Sequence, residues 1–274
     1  MQKTILVTGA TDGIGLETAK MLAAEDHHVL LHGRNPAKLQ AAQATLAALR
    51  EDARIETIET YVADLSRMAD VEAFAKTVAE KHDNLDVLIN NAGVYGVPDT
   101  VTGDGLDVRF AVNTIAPYFL TRMLLPLLGT SGRVVNLSSA AQSPVSSEAL
   151  AGHGQLSDGE AYAQSKLALT MWSRSLGQSR GEDGPAIIAV NPGSLLGSKM
   201  VKDAYGIPGG DLQIGAQILC RAALTEEFAD ASGQYFDNDE GAFAAPHPDA
   251  LDPQKTANIV RVIEGILNRT THGA

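Results

Sequence analysis

"TILVTGATDGIGLETAKMLAAE" (residues 4–25) decides how the rest of the chain is read. Four β-favouring apolar residues run straight into a glycine-rich turn, and the turn runs straight into a helical pattern. In such a unit Gly9 makes the tight turn, Gly13 lets the backbone approach a pyrophosphate, and Gly15 permits close helix–sheet packing. The free N–H groups at the helix start then face the phosphates. A glycine-rich turn alone is a weak signal. Its place between a strand and a helix predicts dinucleotide binding.

Outward from that unit the pattern repeats. "HVLL" (28–31), "IETIETYV" (55–62), "DVLIN" (86–90), "RVVNL" (133–137) and "AIIAV" (186–190) read as strands. Most are continuously apolar rather than alternating, as strands buried on both faces of a parallel sheet should be. Helical spacing lies between them at 13–25, 36–50, 68–81, 107–128 and 160–179, with Pro36 where a helix start tolerates it. Repeated βα units predict an α/β fold: a doubly wound parallel sheet with right-handed crossovers and helices on both faces. "QYFD" (234–237) is expected to add a strand at the sheet edge. No linker or repeat divides the chain, so residues 1–274 read as a single domain. Two irregular stretches, at about 140–159 and 194–211, read as substrate-loop insertions, because loops at strand carboxyl ends carry ligand sites.

Composition narrows the function classes. Twenty-one basic and 33 acidic residues give a net charge of −12 without a basic cluster, which argues against nucleic acid and anionic membrane surfaces. The apolar runs are too short to span a membrane. The chain enters strand-like sequence at once, which leaves no room for a signal peptide. A single cysteine, Cys220, excludes an internal disulfide framework and fits a reducing cytoplasm, the expected location. In "IGAQILCRAAL" it reads as a small buried apolar residue. The seven histidines show no metal-ligand spacing, so no metal is expected.

"EAYAQSKLAL" (160–169) places Tyr162 and Lys166 one helical turn apart on one face. Read alone, the ring packs and the lysine snorkels to water. The other reading is a matched pair, with the cation pulling the phenol's pKa down. The wider order of motifs decides between them. "TGATDGIG" (8–15), "NNAG" (90–93), "NLSS" (136–139), Tyr162-x-x-x-Lys166 and "NPG" (191–193) follow one another with the approximate spacing of the short-chain dehydrogenase/reductase family. From residue 4 to about 237 the chain resembles that family, in its retinol-dehydrogenase-like or carbonyl-reductase-like branch.

The resemblance implies a Rossmann-type fold and hydride transfer between a nicotinamide and a carbonyl or alcohol. It implies Tyr162 as general acid/base, Lys166 beside it holding the nicotinamide ribose, and Ser139 on the substrate oxygen with Ser138 supporting the loop. Asn113, in "FAVNTIAPYFL", matches the asparagine that helps bind a proton-relay water; read alone it is a helix-interior amide bonding its own backbone. Reducing a ketone needs a proton for the developing alkoxide, which a phenol beside a lysine can supply near neutral pH. The implied cofactor set is Gly9, Thr11, Asp12, Gly13 and Ile14 in the turn, Asp64 and Leu65 at the adenine, and Asn91 and Ala92 at the ribose. Tyr162, Lys166, Pro192, Gly193 and Leu195 complete it by the nicotinamide. The family also implies a homodimer or homotetramer.

Cofactor choice turns on "HVLLHGRNPAK". An acid at the end of this strand would accept from an adenosine 2′-OH, whereas an arginine would hold a 2′-phosphate. The strand ends in Gly33-Arg34 without an acid, which favours NADP(H) over NAD(H); the competing reading is a solvated loop arginine. Asp12, in the turn, is a counter-signal.

The pattern departs from the family at three places. Ser139 and Tyr162 are further apart than in its simplest members; the extra residues, 143–158, are expected to wall the substrate pocket as a loop or short surface helix with little apolar surface. Gly197 stands where a threonine is common, with Ser198 next, so a threonine contact to the carboxamide is in doubt. "SKMVKDAYGIPGG" (198–210) reads as a lid bracketed by glycine and proline. His153 reads as a solvated loop residue, Trp172 as core, and Asp237, Asp239 and Glu240 as a solvated acidic patch. Tyr95 and Tyr205 fall near the pocket loops. Together the motifs indicate an NADP(H)-dependent carbonyl reductase or alcohol dehydrogenase for an apolar ketone, aldehyde or secondary alcohol. The alternatives are a non-catalytic dinucleotide-binding redox sensor, which has no need of a proton donor, and an epimerase or dehydratase of the broader superfamily.

Overall fold

The computed structural model describes residues 1–49, 57–181 and 184–272. Positions 50 and 55–56, the ends of one expected helix and one expected strand, lie outside the described residues. The first half runs β1 (Thr4–Val7), α1 (Gly13–Ala24), β2 (His28–Gly33), α2 (Pro36–Ala47), β3 (Ile58–Val62), α3 (Met68–Lys81) and β4 (Val87–Asn90). The second half runs α4 (Val108–Phe110), α5 (Ala116–Leu124), β5 (Arg133–Leu137), α6 (Ser147–Leu150), α7 (Asp158–Arg180) and β6 (Ala186–Asn191). It ends with α8 (Lys199–Tyr205), α9 (Leu212–Leu224), β7 (Tyr235–Asp237), β8 (Ala242–Ala244) and α10 (Pro253–His272).

All the strands lie in one sheet, in the order β3-β2-β1-β4-β5-β6-β7-β8. Every neighbouring pair is parallel except β7–β8. Alternate residues of each strand face opposite sides, so one apolar run feeds two cores. Leu6, Leu30, Leu88, Val134 and Ile187 join Phe74, Leu120, Trp172 and Ile263 on one face. Ile5, Val29, Leu31, Val135 and Ile188 join Leu22, Leu39 and Leu219 on the other. Each such side chain, fully buried, contributes roughly 1.5–3 kcal/mol. The doubly wound α/β reading holds.

Three expectations change. "QYFD" supplies β7, but β8 lies outside it and forms the edge. The expected helix over 107–128 is interrupted at Ala111–Ile115 by a π-helical turn, in which the Ala116 N–H donates to the Ala111 carbonyl. Pro117 lies four residues after Asn113 and lacks the N–H that an α-helix would direct at the Asn113 carbonyl. The stretch 143–158 is not apolar-poor surface: Leu150 of α6 is wholly buried in the main core, and Asn258 Nδ2 on α10 donates to Ser147 Oγ at 2.7 Å. Among the described residues no helix is long and apolar enough to cross a membrane.

Candidate active site

The strand order reverses between β1 and β4, and the crevice at such a switch point is where doubly wound sheets bind ligands. The loops leaving these two strands are laced together. Thr8 Oγ1 accepts the N–H groups of Asn91 and Ala92 at 3.0 and 3.1 Å. Asn91 Nδ2 donates back to the carbonyls of Thr8 and Gly9 at 2.8 and 3.2 Å. An added Cβ at Gly15 would stand 2.3 Å from Asn91 Nδ2, so only glycine admits this interlock. Thr11 lies beneath the end of β2, its Cγ2 2.7 Å from where a Gly33 Cβ would be. Ile14 packs toward Gly215 of α9.

Asp12 caps α1, its Oδ1 accepting the Gly13 N–H at 2.8 Å, and Lys38 Nζ approaches its Oδ2 at 4.0 Å. Arg34 is exposed past the end of β2, and among the described residues its guanidinium has no hydrogen bond or ion pair. Asp64 Oδ1 accepts the Ser66 N–H at 2.9 Å, while Leu65 is buried in the core.

No sequence motif signals His32, yet it joins the loop after β1 to the segment after β3. The Gly9 N–H donates to its Nδ1 at 3.3 Å, and its Nε2 lies 3.2 Å from the Ala63 carbonyl. Burial pushes its pKa down to about 4, so the ring is neutral and the tautomer follows: Nδ1 accepts and Nε2–H donates.

The other end of the crevice is built on α7. Ser157 and Glu160 form a reciprocal capping box that fixes its first turn. One turn later come Tyr162 and Lys166, with Lys166 Nζ 5.6 Å from the centre of the Tyr162 ring. Lys166 is buried, and its ammonium donates to the Leu137 carbonyl at 2.7 Å. Desolvation lowers its pKa from 10.5 to about 8. The Tyr95 ring leans on Tyr162 at 5.1 Å between centres.

Asn113 Oδ1 accepts the Val94 N–H at 2.8 Å, and its Nδ2 donates to the Val94 carbonyl and to Ser165 Oγ, both at 2.9 Å. The amide thus ties the loop after β4 to α7, instead of bonding its own backbone. A Cβ added at Gly93 would fall 3.5 Å from Asn113 Oδ1 and 3.6 Å from Lys166 Nζ, so these groups border one space. Ser138 Oγ is 2.6 Å from Thr170 Oγ1 and buried on α7, whereas Ser139 is half-exposed and its carbonyl accepts from Tyr235 OH at 3.3 Å.

The loop after β6 corrects the reading of the acidic patch as merely solvated. Asp239 accepts the Ser194 N–H at 2.8 Å, Ser194 Oγ–H at 2.6 Å and Asn191 Nδ2 at 2.9 Å. Asn191 Nδ2 also donates to Asp237 Oδ1, its partner across the β6–β7 pair, and Asn238 Nδ2 donates to the Pro192 carbonyl. These bonds hold Gly193 at φ +118° and Leu195 at φ +53°, an uncommon conformation for leucine. Ser198 caps α8 through the Val201 N–H. His153 is exposed and Trp172 is core, as expected. Cys220 is buried, with its thiol pushed up to about 12 by desolvation, and so is inert.

A sheet that reverses its strand order between two interlocked glycine loops, with a buried lysine beside a tyrosine at the adjoining edge, belongs to the doubly wound dinucleotide-binding class. The family is narrower. The model of the short chain dehydrogenases matches residues 3–205, and this chain is a member of that family. Human retinol dehydrogenase 13 is 32% identical to it over 92% of this chain and 80% of that protein, in keeping with the retinol-dehydrogenase-like branch. A crystal structure of a protein from Mycobacterium paratuberculosis superposes with a TM-score of 0.79 at 26% identity, covering 97% of this chain and 94% of that one. A short chain dehydrogenase from Burkholderia cenocepacia J2315 in complex with NADP gives a TM-score of 0.67 at 27% identity, covering 86% of this chain and 95% of that one. As a family member the chain is an oxidoreductase that uses a nicotinamide dinucleotide and a small-molecule substrate.

Proposed function

We propose that this single-domain chain is an NADP(H)-dependent carbonyl reductase or alcohol dehydrogenase for an apolar ketone, aldehyde or secondary alcohol. The observation that carries the reading is Lys166: a buried ammonium held by a carbonyl rather than a carboxylate, beside the Tyr162 ring. A buried cation without an anionic partner costs folding free energy, and such groups cluster at working sites. Its positive charge lies where it can stabilise the Tyr162 oxygen as that phenol gives up its proton.

The residues present fit a dinucleotide. At Gly13 an added Cβ would meet only Ser198, at an ordinary contact of 3.8 Å, so the glycine fronts open space between the turn and α8 that a side chain would occupy. Gly9, Thr11, Asp12, Gly13 and Ile14 would hold the pyrophosphate, and Asp64 and Leu65 the adenine. Asn91 and Ala92 would lie at a ribose, and Pro192, Gly193 and Leu195 at the nicotinamide. When bound, the cofactor donates or accepts the hydride. Tyr162 gives its phenolic proton to the substrate oxygen in reduction and takes one back in oxidation. Lys166 holds positive charge beside that phenol and would also hold the nicotinamide ribose. Ser139 donates a hydrogen bond to the substrate oxygen. The Asn113 carbonyl, which Pro117 cannot address, accepts from the water that passes the proton onward. Arg34, exposed and unpaired among the described residues, would hold the 2′-phosphate.

A panel of ketones, aldehydes and alcohols, followed at the nicotinamide absorbance with both cofactors, tests this directly. The expected result is turnover of hydrophobic carbonyls with NADPH well ahead of NADH. Cofactor binding without turnover of any member of the panel would overturn it.

A further inference from the structure

At the opposite end of the sheet from the glycine turn, two imidazoles and a carboxylate converge from three elements. His28 opens β2, Glu59 lies on β3, and His82 directly follows α3. His28 Nε2 is 2.8 Å from Glu59 Oε1, and His82 Nε2 is 3.4 Å from Glu59 Oε2. One ligand atom from each residue lies within 4.8 Å of the other two. The two imidazole rings meet edge to face at 5.6 Å between centres, both turning Nε2 toward the carboxylate. Tyr61 OH donates to Glu59 Oε2 at 2.8 Å and lies 2.9 Å from His82 Nε2.

We propose that His28, Glu59 and His82 form a binding site for a divalent transition-metal ion of zinc type. Two neutral imidazole nitrogens and one carboxylate oxygen are a zinc donor set, with bonds of about 2.0–2.2 Å. Donors around a tetrahedral ion at those lengths stand roughly 3.3 Å apart; the 2.8 and 3.4 Å separations run to the two different oxygens of Glu59, and the three ligand atoms all lie within 4.8 Å of one another, so the side chains must turn to share one ion. Small side-chain rotations therefore complete the cage. The side chains of His28, Glu59 and His82 are 21%, 29% and 11% exposed, so the ion can enter and a water can take the fourth position. Tyr61 orients the carboxylate, as hydrogen-bond partners of metal ligands do. Imidazole donors disfavour calcium and magnesium, which take oxygen ligands. The nearby Lys81 ammonium lies over the Tyr61 ring, 5.1 Å from its centre, rather than between the donors. The ion would clip β2, the edge strand β3 and the end of α3 together, remote from the hydride-transfer site. The donors are 31 and 23 residues apart along the chain, so no spacing motif announces them.

The test uses tag-free protein stripped with a chelator and titrated with Co²⁺, then Zn²⁺. The site takes one Co²⁺ per chain with the visible d–d bands of a four-coordinate ion, and Zn²⁺ displaces it. Zinc at about a hundredfold excess over its Kd raises Tm by about 5 °C. His28→Asn and His82→Asn lose both the bands and the shift, while His153→Asn, in an exposed loop, keeps them. Should either histidine variant fail to fold, Glu59→Gln preserves the shape of the third donor and must likewise lose the bands. No Co²⁺ bands and no zinc-dependent shift in the unmodified protein, or binding that survives both histidine variants, would overturn the site.

Discussion

At Gly15 an added Cβ would stand 2.3 Å from Asn91 Nδ2 and 2.4 Å from the Gly9 carbonyl, whereas at Gly154, in the loop leading to α7, it would meet nothing within 4 Å. The first glycine is there because two backbones touch. The second is there because its φ of +96° suits no side chain. That contrast runs through the two sides of the crevice. The cofactor side is locked by close approach: Gly9 against Ala92, Gly15 against Gly9, Gly33 against Thr11. The proposed substrate side is held by polar clasps between distant segments. Buried Arg109 joins Asp107 to Asp158 across the mouth of the insertion, and Asp239 ties down Ser194 and Asn191. Gly197 and Gly210 are joined by a backbone bond of 2.7 Å at the base of α8. A locked side suits a ligand that never varies, while clasped loops can differ between substrates without disturbing the sheet.

Gly15→Ala should break the locked side. Forcing a methyl group against backbone should cost about 3 kcal/mol or more of stability and most of the NADPH affinity, whereas Gly154→Ala should cost only about 1–2 kcal/mol through its left-handed φ and leave NADPH binding intact. Urea denaturation and NADPH fluorescence titration of both variants check this. Equal losses in the two would erase the contrast.

Lys166→Met should stabilise the protein while destroying activity. The folded pKa of about 8 lies below the ordinary 10.5, so below pH 8 both states carry the proton and the full cost of burial is present. That cost is about 3 kcal/mol at pH 7 and shrinks as pH rises from 8 to 10.5, where the folded state sheds its proton first. The variant's advantage in urea should follow the same curve. A variant less stable at pH 7 would show that the Leu137 contact outweighs desolvation.

Arg34→Ala should weaken NADPH by about 10–150-fold, the range of a charge-assisted contact to phosphate, and leave NADH nearly unchanged. Equal affinity of the unmodified protein for both cofactors would remove Arg34 from this role. The smallest effect belongs to Asp12→Asn. Asparagine caps a helix as well as aspartate does. Removing a negative charge from the turn that would hold the pyrophosphate should tighten NADPH by roughly a few-fold, the scale of a single charge contact in a water-like dielectric. Unchanged affinity across a range of salt would place the Asp12 charge outside the phosphate's reach.

The locked side was legible in the sequence because its determinants are local. β1, the turn and α1 are contiguous, and β1, β2, β4, β5 and β6 announce themselves as apolar runs. Tyr162 and Lys166 were legible for the same reason, as neighbours at i and i+4. The clasped side was not, because its partners are far apart in the chain. Asp239 looks like part of a solvated patch until the Asn191–Asp237 register brings it beside Ser194, 45 residues away. Leu150 carries too little local pattern to mark α6 as docked, and only α10, a hundred residues on, completes its packing. β8 is short and largely exposed, so no apolar run marks it. His32 follows an apolar run in β2 with no motif around it, and only the folded loops show why a neutral imidazole stands there.

The most direct test of the proposed chemistry is Tyr162→Phe, measured for both NADPH affinity and turnover of the best carbonyl substrate. Phenylalanine keeps the ring beside Tyr95 and Lys166 and removes only the proton that reduction consumes. NADPH affinity should stay within about twofold, while kcat should fall by at least ~10²-fold, the usual loss when a general acid is deleted. A Tyr162→Phe enzyme that binds NADPH normally and keeps most of its kcat would contradict the assignment of Tyr162 as the proton donor.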